Sequence, residues 1–199
     1  MNTLIFSAAL AAYFALHSLL AAEGVKAKLT LLVPPRYYRL GYNLLAAVLL
    51  AAIFTLYFLM EKKPFLPPTL VFPLVGGVLA LAGAAWVARA LKRYGFGEFS
   101  GLEQLREGQQ PKHSKLIIRG LNGRVRHPLY FGILLMAWGA LFILPTDLFF
   151  AFSLTTTIYT IIGARLEEEK LVAQFGKAYQ KYQREVPMLV PFRFRFRRR

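Results

Sequence analysis

Five windows of this chain contain no Asp, Glu, Lys or Arg: residues 2–22, 40–60, 64–88, 128–146 and 148–164, with lengths of 21, 21, 25, 19 and 17. A helix needs about 20 apolar residues, within a range of about 17–25, to cross a bilayer core about 30 Å thick. All five windows qualify, the last narrowly. Lipid offers the backbone no hydrogen-bond partner, so each window must close its own bonds as a helix. Composition agrees, with 56% hydrophobic and only 18% charged residues, where a soluble domain carries about 25% charged. The first window has no basic residue before its apolar run and no clear small-residue cleavage site, so it reads as a span rather than a signal peptide. The expectation is an all-α membrane protein with five transmembrane helices.

The charges between the windows set an orientation. Residues 23–39 carry a net +3, residues 61–63 a net +1, residues 89–127 a net +6, position 147 a single Asp, and residues 165–199 a net +6. Strongly basic and nearly neutral connections alternate, as the positive-inside rule requires of five spans. The first and third connections and the C-terminus are therefore expected in the cytoplasm, and the N-terminus outside. The net charge of +15 is on this reading a sign of topology, and no nucleic-acid partner is expected. The chain has no cysteine, which excludes a disulfide framework, a thiolate metal site and a Cys nucleophile. His17, His113 and His127 stand at no metal-ligand spacing, so no metal is expected.

Chemistry with water-soluble reagents must use the polar segments, and two of them stand out. If the tail continues the last span as one helix, Leu171, Val172, Phe175, Tyr179 and Tyr182 fall within about 60° of Glu168. Glu168 then sits in the middle of an apolar face, with Glu167 at its border. An inward carboxylate is costly unless it is paired or meets a cationic ligand, so the pattern admits an ion pair to Arg165 or Arg126, or a ligand contact. The second cluster is Arg126-His127-Pro128-Leu129-Tyr130 at the start of the fourth span. Pro128 suits the first position of a helix, whose free N–H groups suit an anion. Arg and Tyr there also serve as interfacial anchors. His17 and Ser18 form an intramembrane polar pair, read as packing. The hydroxyl run Thr155, Thr156, Thr157, Tyr159 and Thr160 reads as interhelical hydrogen bonding. The ending from Phe192 to Arg199 alternates Phe and Arg, and reads either as a disordered basic tail or as a segment lying on anionic membrane lipid.

Leu116-Ile117-x-x-Gly120, Arg126-His127-Pro128-x-Tyr130-x-Gly132, Glu167-Glu168, Leu171, Phe175-Gly176, Tyr179, Tyr182 and the Val-Pro…Pro ending occur in order. Over roughly residues 113–191 this resembles the isoprenylcysteine carboxyl methyltransferase family. His17-Ser18, Ala21, Val25-Lys26 and Tyr38-Arg39 look more like that superfamily's methanethiol S-methyltransferase or NnrU branch. Asn122 stands where the family usually has Tyr, and Ser114 where it often has His. The resemblance implies two regions, residues 1–93 with three spans and residues 94–199 with the methyltransferase-like part. It implies S-adenosyl-L-methionine as cofactor, held by Leu116, Ile117, His127, Pro128, Leu129, Tyr130 and Glu168 in a cytoplasmic pocket formed by the last two helices and their flanks. Arg126, Glu167 and Arg165 would serve catalysis on a small or lipophilic acceptor: a thiol, a prenylcysteine carboxylate or a lipid amine. The site would face the cytoplasm from a bacterial or archaeal inner membrane. Sterol reductases carry a similar Arg-His-Pro block and use NADPH, but Leu129 and Ile133 replace the Asn and the acid of that pattern. A non-enzymatic NnrU-like membrane protein is the third reading.

Overall fold

The computed structural model describes residues 1–107 and 116–191. The expectations for His113, Ser114 and residues 192–199 lie outside the described residues. Among those described, all regular elements are helical. In chain order they are α1 (Asn2–Ala21), α2 (Glu23–Leu29), α3 (Pro35–Leu59), α4 (Val71–Tyr94), α5 (Phe96–Ser100), α6 (Leu102–Glu107), a 3-10 turn (Gly120–Gly123), α7 (Pro128–Ile143), α8 (Asp147–Phe175) and α9 (Lys177–Glu185).

Helices α1, α3, α4 and α8 are long and apolar enough to cross a membrane; this is an integral membrane protein. Helix α7 has 16 residues, about 24 Å at 1.5 Å each, and is shorter than the charge-free window that contains it. Pro145 is the reason: the residue before a proline is pushed out of helical geometry, and Leu144 has φ −126° and ψ 76°. The third window likewise overstates its helix at the start, where Pro64, Pro67 and Pro68 keep residues 64–70 irregular. It understates the end, because α4 runs on through Arg89, Lys92 and Arg93 to Gly95 at φ 84°.

Side-chain contacts give the helix directions. Helix α1 lies parallel to α8, with Thr3 bonded to Asp147 at 2.8 Å and Ser18 to Tyr159 at 3.1 Å. It lies antiparallel to α3, with Phe6 against Tyr57 and His17 against Tyr42. Helices α3, α1, α8, α7 and α4 follow one another side by side. A buried cluster of Phe6, Leu10, Ile53, Tyr57, Leu141, Leu148 and Phe149 joins α1, α3, α7 and α8. Helices α7 and α8 are also cross-bonded, Ser153 to the Ala137 carbonyl at 2.9 Å and Trp138 to Thr157 at 3.1 Å; of the hydroxyl run, Thr157 makes this contact and the buried Thr156 hydroxyl has no hydrogen-bond partner among the described residues.

Two polar ends result. At one, Asp147 accepts from Thr3 and from the Lys63 backbone N–H, and Asn2 donates to the Glu61 carbonyl. At the other, Asn43 and Arg39 of α3 donate to the Phe99 carbonyl at the end of α5, and α9 folds under the start of α7.

Helix α4 meets α7 through glycine. Gly76 and Gly83, seven residues apart, face Gly139 and Gly132. A Cβ built on Gly76 would stand 2.5 Å from the Gly139 carbonyl oxygen, and one on Gly139 would stand 2.7 Å from the Ala80 nitrogen. Lipid competes for apolar surface as well as a neighbouring helix does, so close backbone approach through small residues carries such contacts. Gly139→Ala must push two backbones apart, and overpacking costs about 1–3 kcal/mol. It is expected to lower the thermal midpoint in detergent by several degrees. Gly77→Ala, on the same helix and with nothing within 4 Å of the added atom, should leave the midpoint unchanged or slightly raised. Equal midpoints in the two variants would show that the glycines do not set this contact.

Candidate functional site at the start of α7

Pro128 occupies the first turn of α7, with His127 as the residue before it. The two residues ahead of Pro128 are fixed by the returning chain. Arg126 N–H donates to the Pro187 carbonyl at 2.9 Å, and His127 N–H to the Met188 carbonyl at 3.1 Å. These two N–H groups are thus taken, and any anion at this end of α7 would have to use others. The Arg126 guanidinium then reaches two elements at once. Nε and Nη2 donate to Glu168 at 2.5 and 3.0 Å, and Nη1 donates to the Gln183 and Val186 carbonyls at 2.9 and 2.5 Å. Those carbonyls end α9, where the helix dipole favours a cation.

Glu168 is filled by protein donors. Besides both Arg126 bonds, Oε1 lies 3.0 Å from His127 Nε2 and Oε2 accepts from Gln183 at 2.9 Å. The Arg126 and Glu168 side chains are 11% and 9% exposed. Of the two expectations for Glu168, the ion pair is present and its partner is Arg126. Arg165 is exposed and forms no ion pair with Glu168.

Glu167 differs in every respect. Its side chain is 47% exposed. Oε2 accepts from the Tyr130 hydroxyl at 2.9 Å and lies 3.5 Å from His127 Nδ1, while Oε1 accepts no hydrogen bond among the described residues. The Tyr130 ring stacks on the His127 ring, 5.3 Å between centroids and 7° from parallel. The result is an outward carboxylate oxygen beside an aromatic face, above a fully satisfied ionic layer. Such a surface attracts a cation both by charge and through the ring quadrupole.

Arg126, His127, Tyr130, Glu167 and Glu168 therefore come together, with Pro128 buried beneath them and Leu129 half-buried. Leu116 is half-buried and Ile117 exposed, in the irregular stretch before the 3-10 turn; no side-chain hydrogen bond or ion pair ties them or Arg165 to the cluster among the described residues. The single continuous helix assumed for the tail is broken at Gly176, φ 55°. Tyr179 and Tyr182 are buried all the same, now on α9. Tyr182 donates to the Asn122 carbonyl at 2.5 Å. Burial, and after it the Glu168 charge, push the Tyr179 phenol up, so it stays protonated. Gln183 was missed in the sequence; a polar side chain four residues after the buried Tyr179 and next to Tyr182, on an otherwise charged helix, was its only signal.

The chain matches the NnrU protein family over residues 5–193. It is 32% identical to a methanethiol S-methyltransferase of Crocosphaera subtropica, over 96% of this chain and 76% of that one. A methanethiol S-methyltransferase of a Pseudomonas species is also 32% identical, over 91% and 70% of the two chains, and one of Mycobacterium tuberculosis is 30% identical over 88% and 72%. No solved structure matches. The NnrU or methanethiol branch expected from His17-Ser18, Ala21, Val25-Lys26 and Tyr38-Arg39 is the one matched, and the chain belongs to the NnrU protein family, on the branch of these methyltransferases.

Proposed function

We propose that this protein is an integral membrane methyltransferase that uses S-adenosyl-L-methionine and acts on a small or lipophilic acceptor. One observation carries the reading: the outward Glu167 carboxylate beside the Tyr130–His127 stack, in a chain similar along its length to methanethiol S-methyltransferases. The donor set fits a ligand with a sulfonium cation, because Glu167 keeps one oxygen outward while Glu168 has none to spare. Bound there, S-adenosyl-L-methionine supplies an electrophilic methyl group. Glu167 and Tyr130 would hold the cation. His127, Pro128 and Leu129 would floor the site, and Leu116 and Ile117 would close it from the preceding segment. Arg126 and Glu168 would position the others, and Arg165 would meet an anionic acceptor. Catalysis would consist largely in aligning nucleophile and methyl.

With α7 as a short fourth crossing, five crossings would give the protein a basic inner face, and this site would lie there. A reporter fused after Arg199 is expected to read cytoplasmic and one before Met1 exoplasmic. Both ends on one side would remove the five-span arrangement.

The adjacent acids separate binding from stability. Glu167→Gln is expected to weaken adenosylmethionine binding about tenfold, since a hydrogen bond to a charged group contributes about 1.5–3 kcal/mol, with little change in thermal midpoint. Glu168→Gln strips half of a buried ion pair, which costs about 3–5 kcal/mol, and should lower the midpoint clearly. Calorimetry with adenosylmethionine and with NADPH, alongside the two melting curves, checks this. Binding of NADPH alone would turn the reading to a reductase, and binding of neither to a non-enzymatic protein.

A further inference from the structure

We propose that the groove between the end of α4 and the 3-10 turn binds an anionic phospholipid, with its phosphate among Arg89, Lys92, Arg93 and Arg124 and its acyl chains along the outer face of α4. The inference is independent of the methyltransferase reading and goes beyond it.

The groove has a volume of about 790 Å³ and is lined by Trp86, Arg89, Lys92 and Arg93 of α4, by Gly120 of the turn and by Arg124 just after it. Ligand pockets commonly hold about 300–1,000 Å³, so this space takes a headgroup and not merely one ion. Two contacts build it. Trp86 packs edge-on against Phe131 of α7, with 5.0 Å between ring centroids and 79° between planes, which holds the last part of α4 beside the start of α7. Gly120, at φ 68°, leaves room for Arg93: a Cβ there would stand 2.9 Å from Arg93 Nη1. Segments distant in sequence thus bring their cations to one place.

The charge there is one-sided. Arg89, Lys92, Arg93 and Arg124 are all exposed, and none of them forms an ion pair among the described residues. Arg89 makes only a long contact of 3.5 Å, to the Ala85 carbonyl of its own helix. Like charges around one space repel one another, and an anion between them removes that cost. Phosphate suits these groups, because its oxygens accept paired guanidinium N–H bonds.

The neighbouring surface favours a lipid over a free phosphate. Helix α4 ends the row of helices and packs chiefly on α7. Away from Gly76 and Gly83 it exposes Leu74, Val78 and Leu81. Lys92, eleven residues after Leu81, falls about 20° from it around the helix and so continues the same stripe. An apolar stripe therefore runs into the basic groove, at the point where the charge-free residues 64–88 give way to Arg89. A phosphate carried on acyl chains meets both surfaces, and a free phosphate meets only one. Tryptophan is enriched at such a boundary, at headgroup level, and basic pockets between spanning helices suit anionic headgroups.

The test is native mass spectrometry of the full chain in detergent, titrated with phosphatidylglycerol and with phosphatidylcholine. One phosphatidylglycerol is expected to be retained in preference to phosphatidylcholine; equal retention of the two would overturn the inference. Arg93→Gln with Arg124→Gln should weaken that binding at least about tenfold, since each cation near an anionic lipid surface contributes about fivefold. Lys28→Gln with Arg36→Gln removes the same charge from the first basic connection, outside the groove, and should leave the binding unchanged. Equal losses in the two double variants would reduce the preference to net charge and overturn the site. Displacement of the lipid by inorganic phosphate would give the groove to a soluble anion, and displacement by adenosylmethionine would give it to the methyl donor; either result overturns the proposal. In the unaltered protein, phosphatidylglycerol with a photoreactive headgroup should label residues 86–93 or 120–124. Labelling only elsewhere would refute the site, whether or not the variants fold.

Discussion

The polar end of this molecule depends on the Arg126–Glu168 ion pair. Both charges are nearly out of water, where a lone carboxylate or guanidinium carries a desolvation cost of several kcal/mol. The cost is met by geometry. Arg126 approaches with two parallel bonds, the arrangement that suits a guanidinium, and all four acceptor positions on Glu168 are used. The third nitrogen of Arg126 binds the last carbonyls of α9. One residue thus ties the start of α7 to the last third of α8 and to the returning chain. The Tyr182–Asn122 bond and the backbone pairing of residues 126–127 with 187–188 reinforce the same junction. His127 and Glu167 owe their positions to neighbours that are already fixed.

Much of this was legible in the sequence, for physical reasons that can be named. Missing charge marks a helix in lipid because unsatisfied backbone is intolerable there, so five windows read as spans; four hold helices of spanning length, and the helix ends were not legible. The ends follow prolines and glycines: Pro145 stops α7, Gly95 releases α4 and Gly176 breaks α8. Glu168 was recognisable as an acid on an apolar face, but Arg126 and Arg165 were equally available partners by composition. Only the fold of α9 decides between them, and that fold turns on a positive φ at Gly176. The α4–α7 contact was not read at all. A seven-residue glycine spacing in one helix means little until a second helix presents the same spacing in reverse.

Adjacent positions on a helix point about 100° apart, and the two acids of α8 show what that angle achieves. One turns into the junction and is consumed by protein donors, and its neighbour turns outward with an oxygen to spare. Were both outward, the site would lack its anchor. Were both inward, a second desolvated carboxylate would need a second guanidinium, and Arg165 lies on the exposed side of α8.

Helix α7 is short and held at both ends. At about 24 Å, α7 is shorter than a bilayer core of about 30 Å, and its far end is held beside Asp147 and Lys63 by the hairpin and the Pro64–Thr146 bridge. Its polar start packs against α8 and the returning chain through Arg126 and His127. Tyr130, inside the first turn, meets Glu167 of α8. A charged site buried in this way must be satisfied internally, which is why it holds an ion pair and not a lone charge. Tyr159, bonded to Ser18 and in ring contact with His17, stands about two turns before Glu167 on the same helix, so α8 carries both polar groups on one continuous element.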